Sequence, residues 1–295
     1  MCIRDSGSAD DAGGIAGIIS RTTVAPLERV KILFQVQALS AQGAPLKHTS
    51  VWRSLVDMYR AGGIIGMWKG NTANCVRVFP SSALQFAAYS EIKRVAFNDD
   101  PTTAQRLVAG GSAGAIACFV TYPLDFIRGR LTTDMAGRYT SVGGALADVV
   151  RTEGFFALYR GLLPSIIGIV PYVGVDFAVY DTLRSYLPKD QNGNPNVWGK
   201  LAAGAFAGMV GQTAAYPLDT VRRILQVQDI KVKPGYGDTY DGMIDAIVKL
   251  TRRDGFFSLY RGLFANYLKV IPAVSISFVV FEATKTELER TFGKR

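Results

Sequence analysis

The chain has 295 residues, 48% of them hydrophobic, and carries a net charge of +9 at neutral pH. That balance admits a nucleic-acid, membrane-surface or anionic-ligand partner. It does not favour an enzyme or a metal protein: His48 is the single histidine, and Cys2, Cys75 and Cys118 have no paired spacing.

Residues 1–11 show neither a secretory signal core nor an Arg- and Ser-rich transit character, and they fit the remainder poorly. Aligned on the first motif proline, Asp10 and Asp11 stand where later copies have Leu107-Val108 and Leu201-Ala202. We therefore expect an atypical or non-native leader there. From Ala12 an apolar helical pattern rich in small residues runs to Ala25, broken only by Arg21, and continues past Pro26 through Gln37. After a polar stretch near 38–48, Val51, Leu55, Met58 and Tyr59 share one face of a short amphipathic helix, which Gly62-Gly63 stops. A second long helix follows from Met67 to about Val95.

The same order returns twice. Leu107–Tyr122 leads into Pro123, Val142–Val150 gives the second short helix, and Glu153-Gly154 opens the way to another long helix. Leu201–Tyr216 leads into Pro217, followed by a short helix over Gly242–Leu250 and then Asp254-Gly255. Each first long helix carries one phrase, Pro-x-acid-x-x-base: Pro26/Glu28/Lys31, Pro123/Asp125/Arg128 and Pro217/Asp219/Arg222. Three copies 97 and 94 residues apart define repeats over 12–97, 104–188 and 196–290. Each second long helix carries Pro80, Pro171 or Pro272 and, nine residues on, an aromatic-polar pair with a base after it. Those sets are Tyr89-Ser90/Lys93, Tyr180-Asp181/Arg184 and Phe281-Glu282/Lys285.

No stretch is a clean run of the ~20 apolar residues that spanning a bilayer needs. Three features still favour a membrane protein. Small residues recur four apart (Gly13/Gly17, Gly110/Gly114, Gly204/Gly208), as lipid-embedded helices use for close approach. Prolines sit inside six long helices, and isolated polar residues recur at equivalent places, as around a watery cavity. The expectation is an all-α membrane protein: six transmembrane helices in three pseudo-symmetric repeats, each a long helix, a short helix and a long helix.

The triplicated phrase, followed by acid-Gly-x4-aromatic-base-Gly, resembles the mitochondrial carrier family over residues 12–290, with Gly62 replacing the second acid in repeat one. The resemblance implies a multi-pass carrier of the mitochondrial inner membrane working by alternating access, with short helices on the matrix side; some members serve peroxisomes or plastids. It implies no cofactor, and lipid contact, with cardiolipin, for a monomer. The stretches Ser20–Lys31 and Gly168-Ile169-Val170-Pro171-Tyr172 look like carriers of adenine nucleotides and coenzyme A. No EF-hand domain precedes the repeats in this chain, which disfavours the calcium-regulated type.

On that resemblance, threefold symmetry pairs Glu28 with Arg128, Asp125 with Arg222 and Asp219 with Lys31 as a matrix gate, braced by Gln35 and Gln226; Thr132 occupies the third brace position. The opposing gate would use Tyr89, Lys93, Tyr180, Asp181, Arg184, Glu282 and Lys285, weakened where Ser90 replaces an acid. Thirteen residues before Ser90, Asp181 and Glu282 stand Arg77, Gly168 and Lys269, at one level of the cavity, with Val78, Ile169 and Val270 beside them. With Arg21, Tyr172 and Asp176 they form the expected site for a polyanion, Asp176 being the sole acid the sequence offers at that depth, free to pair with Arg77 in the empty site or to accept a proton. In the resembling carriers the Gly-aliphatic pair is associated with adenine. The expected function is exchange of ATP, ADP, AMP or coenzyme A, with adenosine phosphosulfates or a non-transporting carrier-fold scaffold as alternatives. Charges that recur at gate positions, and not on one exposed face with aromatics, argue against a nucleic-acid partner.

Overall fold

The computed structural model describes residues 2–39, 50–96, 102–134, 138–139, 141–187, 197–231 and 240–292. Nine α-helices are described: α1 (Cys2–Val36), α2 (Val51–Gly66), α3 (Asn71–Ala96), α4 (Thr103–Thr133), α5 (Val142–Glu153), α6 (Leu162–Tyr186), α7 (Val197–Lys231), α8 (Met243–Asp254) and α9 (Leu263–Phe292). Six are long and three short, in the expected order, and each long helix has its proline inside. Residues 2–11, read as a leader, continue α1 without a break.

The long helices close into a ring. Within repeats, α1 lies beside α3, α4 beside α6, and α7 beside α9; between repeats, α3 packs on α4, α6 on α7, and α9 returns to α1. The first long helices of the three repeats, α1, α4 and α7, also touch one another, so their C-terminal halves converge. A proline removes one backbone hydrogen bond and bends the axis, and convergence follows the three motif prolines.

The buried apolar residues gather at that converging end. Tyr122, Phe126 and Ile127 of α4 pack on Ala145 and Val149 of α5. Val221 and Ile224 of α7 join Ile32 and Val36 of α1 over Ala246 and Leu250 of α8. Val30 and Leu33 of α1 cover Met58 of α2, with Val51 and Leu55 at the edge. Each fully buried aliphatic side chain contributes about 1.5–3 kcal/mol, so the short helices serve as a plinth for the convergence. Tyr59 does not join this face; it is exposed, because the shared stripe is centred on Met58.

Gly63, at φ +62°, breaks the helical backbone of α2 where Gly62-Gly63 was expected to stop it, and a second short helical segment carries the chain on to Gly66. Gly154 and Gly255 make the equivalent turns at φ +88° and +80°, each followed by a short 3-10 segment. The close helix approach also lies elsewhere than expected. A Cβ at Gly204 or Gly208 would meet ordinary contacts at 3.8–3.9 Å, and one at Gly110 would meet nothing within 4 Å. At Gly211 it would fall 2.9 Å from the Tyr172 carbonyl, so this glycine sets the α6–α7 spacing.

Among the described residues, one helical stretch, Phe155–Tyr186, is long and apolar enough by composition to cross a membrane. Several other long helices carry charges in their lower halves, such as Asp125, Arg128 and Arg130 in α4 and Asp219, Arg222 and Arg223 in α7, and these depress a hydropathy average.

Candidate functional site: a charged ring beneath a polar cavity

Where α1, α4 and α7 converge, three ion pairs join the three repeats in a cycle. Arg128 meets Glu28 at 2.7 Å, Lys31 meets Asp219 at 2.7 Å, and Arg222 pairs with Asp125. No same-helix pair between these acids and bases three residues apart occurs among the described contacts. The cause is geometric: the bend turns each acid toward the neighbouring repeat's base. The six side chains are 4–19% exposed.

Two glutamines attach to the ring. Gln35 donates to Asp219 at 3.1 Å, and Gln226 donates to Asp125 at 3.2 Å and to the Tyr122 hydroxyl at 3.0 Å. At the third junction the Thr132 hydroxyl turns back to its own helix, donating to the Arg128 carbonyl at 2.7 Å. Arg29 crosses this junction instead, donating to the carbonyls of Thr132 (2.9 Å) and Gly66. Lys69 reaches the Asp134 carbonyl at 3.1 Å across the same junction.

The three cations of the expected polyanion site, Arg21, Arg77 and Lys269, each have a polar neighbour in the protein. Lys269 donates to Glu28 at 3.3 Å, and Arg77 lies 3.8 Å from Asp125. Arg21 donates to Asn74 at 3.4 Å. Sequence position puts Arg77 and Lys269 a level above the ring, but their long stems let the charged heads descend to its carboxylates. Asp176 therefore does not hold Arg77. It lies against Gly211 on the α6–α7 face and lines a cavity that also touches Lys269.

That cavity, of about 430 Å³, is lined by Tyr172, Asp176, Gln212, Asn266, Lys269 and Val270 among others. A second, of about 230 Å³, lies against the ring between Gly168, Ile169, Tyr172 and Gln212, with Asp219 and Arg222 at its floor. Tyr172 and Gln212 border both, so the expected site residues of α6 and α9 face connected space. A Cβ added at Gly168 would rest 3.6 Å from Leu218, an ordinary contact, so this glycine leaves room for more than one hydrogen atom.

Charge is unbalanced here. Arg21, Lys31, Arg77, Arg128, Arg222, Arg223 and Lys269 surround Glu28, Asp125 and Asp219. The Arg77 Nε is buried and has no hydrogen-bond partner. Arg223, not anticipated from the repeat pattern, donates to Gln226 at 2.9 Å and lies 3.5 Å from Asp125; the doubled arginine at 222–223 was its visible signal.

At the opposite end the described gate residues stand apart from one another. Lys93, Asp181 and Arg184 are exposed, Tyr89 and Tyr180 half-buried, and no ion pair joins them among the described residues. The side chains of Glu282 and Lys285 lie outside those described.

The model of the mitochondrial carrier proteins matches residues 11–100, 99–191 and 193–292, one match per repeat. The mitochondrial adenine nucleotide transporter ADNT1 of Arabidopsis thaliana is 43% identical over 305 residues, covering 94% of this chain and 86% of the relative. The calcium-binding mitochondrial carrier protein SCaMC-2-A of Danio rerio is 39% identical over 94% of this chain, which spans 58% of that relative. The mitochondrial adenyl nucleotide antiporter SLC25A24 of Mus musculus is 36% identical over 94% of this chain and 57% of its own length. With three matches in register over almost every residue from 11 to 292, the chain belongs to the mitochondrial carrier family.

Proposed function

We propose that the chain exchanges adenine nucleotides across the mitochondrial inner membrane, its six long helices spanning the bilayer around the central cavity. The observation that carries this reading is the excess of bases over carboxylates beneath a cavity bordered by Gly168, Ile169 and Tyr172. Unpaired intramembrane charge costs at least about 2.5–3.5 kcal/mol per residue on insertion scales, and a polyphosphate supplies the missing negative charge. Relatives named for adenine nucleotide transport support the same class.

In this reading the ring of Glu28, Lys31, Asp125, Arg128, Asp219 and Arg222 closes the matrix side, with Gln35 and Gln226 as braces. The Tyr89/Lys93, Tyr180/Asp181/Arg184 and Glu282/Lys285 sets close the other side after the ring has opened. Arg21, Arg77 and Lys269 take the phosphates, and Gly168, Ile169, Tyr172 and Val270 receive the base. Asp176 faces the ligand from α6. Cardiolipin contact and a monomeric state complete the proposal.

The test is uptake by liposomes holding the purified chain, with labelled ATP, ADP, AMP and coenzyme A compared side by side. Exchange of the nucleotides, abolished by Arg77→Ala, is the expected result. Exchange of coenzyme A alone reassigns the substrate, and no exchange by folded protein refutes a transporter in favour of a scaffold.

A further inference from the structure

Three glycines with left-handed backbones follow the short helices: Gly70 (φ +85°), Gly161 (φ +84°) and Gly262 (φ +88°). Each presses on the backbone carbonyl of a ring base in the next repeat. A Cβ at Gly161 would lie 2.9 Å from the Arg222 carbonyl oxygen, one at Gly262 would lie 2.9 Å from that of Lys31, and one at Gly70 would lie 3.2 Å from that of Arg128. Two constraints thus coincide at each turn: a φ that side chains avoid, and no space for a side chain.

At two of the three turns, a tyrosine bonded to the turn also holds the charged end of the base. The Arg222 guanidinium lies over the Tyr122 ring at 5.6 Å, and the Tyr122 hydroxyl donates to the Arg160 carbonyl at 3.0 Å. Lys31 lies over the Tyr216 ring at 5.2 Å, and the Tyr216 hydroxyl donates to the Arg261 carbonyl at 3.0 Å. Each tyrosine directly precedes a motif proline, so it sits where α4 or α7 bends. Behind the turns, Arg160 is tied to Glu153 of α5 at 3.3 Å, and Arg261 to Asp254 of α8 at 2.7 Å. A continuous path therefore runs from short helix to turn to ring base. Repeat one lacks two of its parts, having Ala25 for the tyrosine and Gly62 for the acid.

We propose that the Lys69-Gly70, Arg160-Gly161 and Arg261-Gly262 turns couple the short helices to the ring, each turn gripping the base of the following repeat. Gly161, Gly262, Tyr122 and Tyr216 are then positioning residues for the ring, and the grip on Arg128 is the lightest. The proposal rests on the gating reading above and goes beyond it by stating which surface element moves which ion pair.

The test crosses turn variants with ring variants in the full chain, reading the thermal unfolding midpoint and the rate of labelled ATP exchange in liposomes. Gly161→Ala should lower the midpoint by several degrees in the native background. That drop should largely vanish in Asp125→Asn, where Arg222 has lost its partner, and persist in Asp219→Asn. Gly262→Ala should show the reverse dependence. If Gly161→Ala yields no folded protein, Tyr122→Phe, which deletes one hydroxyl, replaces it with the same expected pattern. Equal drops in all backgrounds would mean the turns are local packing and would overturn the coupling. Should Asp125→Asn and Asp219→Asn leave both midpoint and exchange unchanged, the gating reading itself falls and takes the coupling with it.

Discussion

Asp125→Asn is the substitution that most directly weighs the ring. The side chain is 4% exposed and accepts from Arg222 and Gln226, with Arg223 at 3.5 Å and Arg77 at 3.8 Å. Asparagine keeps the shape and one acceptor oxygen, but it leaves three arginines facing a neutral group. Removing one partner of a buried pair costs about 3–5 kcal/mol, which corresponds to roughly a 10²–10⁴-fold loss of the ring-closed population at 1.36 kcal/mol per decade. Glu28→Gln should cost less, because its carboxylate is 19% exposed and water replaces part of the loss. The assay is the thermal midpoint of purified protein, read for Asp125→Asn, Glu28→Gln, Arg222→Gln and the Asp125→Asn/Arg222→Gln double variant. The double variant should be less damaged than the sum of the singles, since it removes the stranded charge together with its cause. Strict additivity, or an Asp125→Asn midpoint equal to that of the native chain, would refute the reasoning.

Gly211→Val should destabilise the α6–α7 pair severely, because its Cβ would fall 2.9 Å from the Tyr172 carbonyl; expression and midpoint check this, with Gly110→Val as the tolerated comparison. Gly168→Ala should retain exchange, whereas Gly168→Leu should fill the 230 Å³ space and raise the half-saturating nucleotide concentration at least tenfold. Outside the long helices, burial pushes the Glu153 carboxyl up, but hydrogen bonds and charge from Arg130 and Arg160 outweigh it and hold it below the usual range. Asp254 is lowered in the same way by Arg253 and Arg261 against its burial. A depressed carboxyl stabilises fully above its unfolded pKa, about 4 for both types, and loses that contribution as pH falls through the folded value. Between about pH 6 and 8 their contribution is therefore fully present and the midpoint should not vary with pH on their account. It should fall on acidification below about pH 4, and less steeply in Glu153→Gln.

The sequence made the architecture legible because the repeats are long, regular and punctuated by proline: the order of long and short helices emerged from pattern alone. Ring partners were legible for a different reason. Helical spacing offered each acid a base three residues away, and threefold equivalence was needed to prefer the base on another repeat. Reach was not legible. Arg77 and Lys269 were placed at the right level, but nothing in spacing says that their charged heads would descend to Asp125 and Glu28. Nor did the glycine pairs reveal where helices press hardest, because the companions of Gly211 at four-residue spacing are alanines, Ala207 and Ala215, and not glycines. Asp176 shows the same limit. Its position relative to Arg77 looked suitable in a repeat alignment, yet it faces α7.

The descent of Lys269 onto Glu28 has a consequence for leakage. This ammonium serves the ring when the cavity is empty, and it is also within reach of an entering phosphate. A ligand that draws it away takes a cation from the ring at the moment it adds its own attraction above. Cargo and lock thus compete for one side chain, and by reciprocity a tighter lock means a weaker hold on cargo. An empty carrier has nothing to offer in exchange for the lost pair, so its ring stays shut. On the proposed exchange reading, this competition predicts coupled counter-exchange, and Lys269→Ala should convert part of the flux into net, unpaired movement, read as nucleotide uptake into liposomes that hold none.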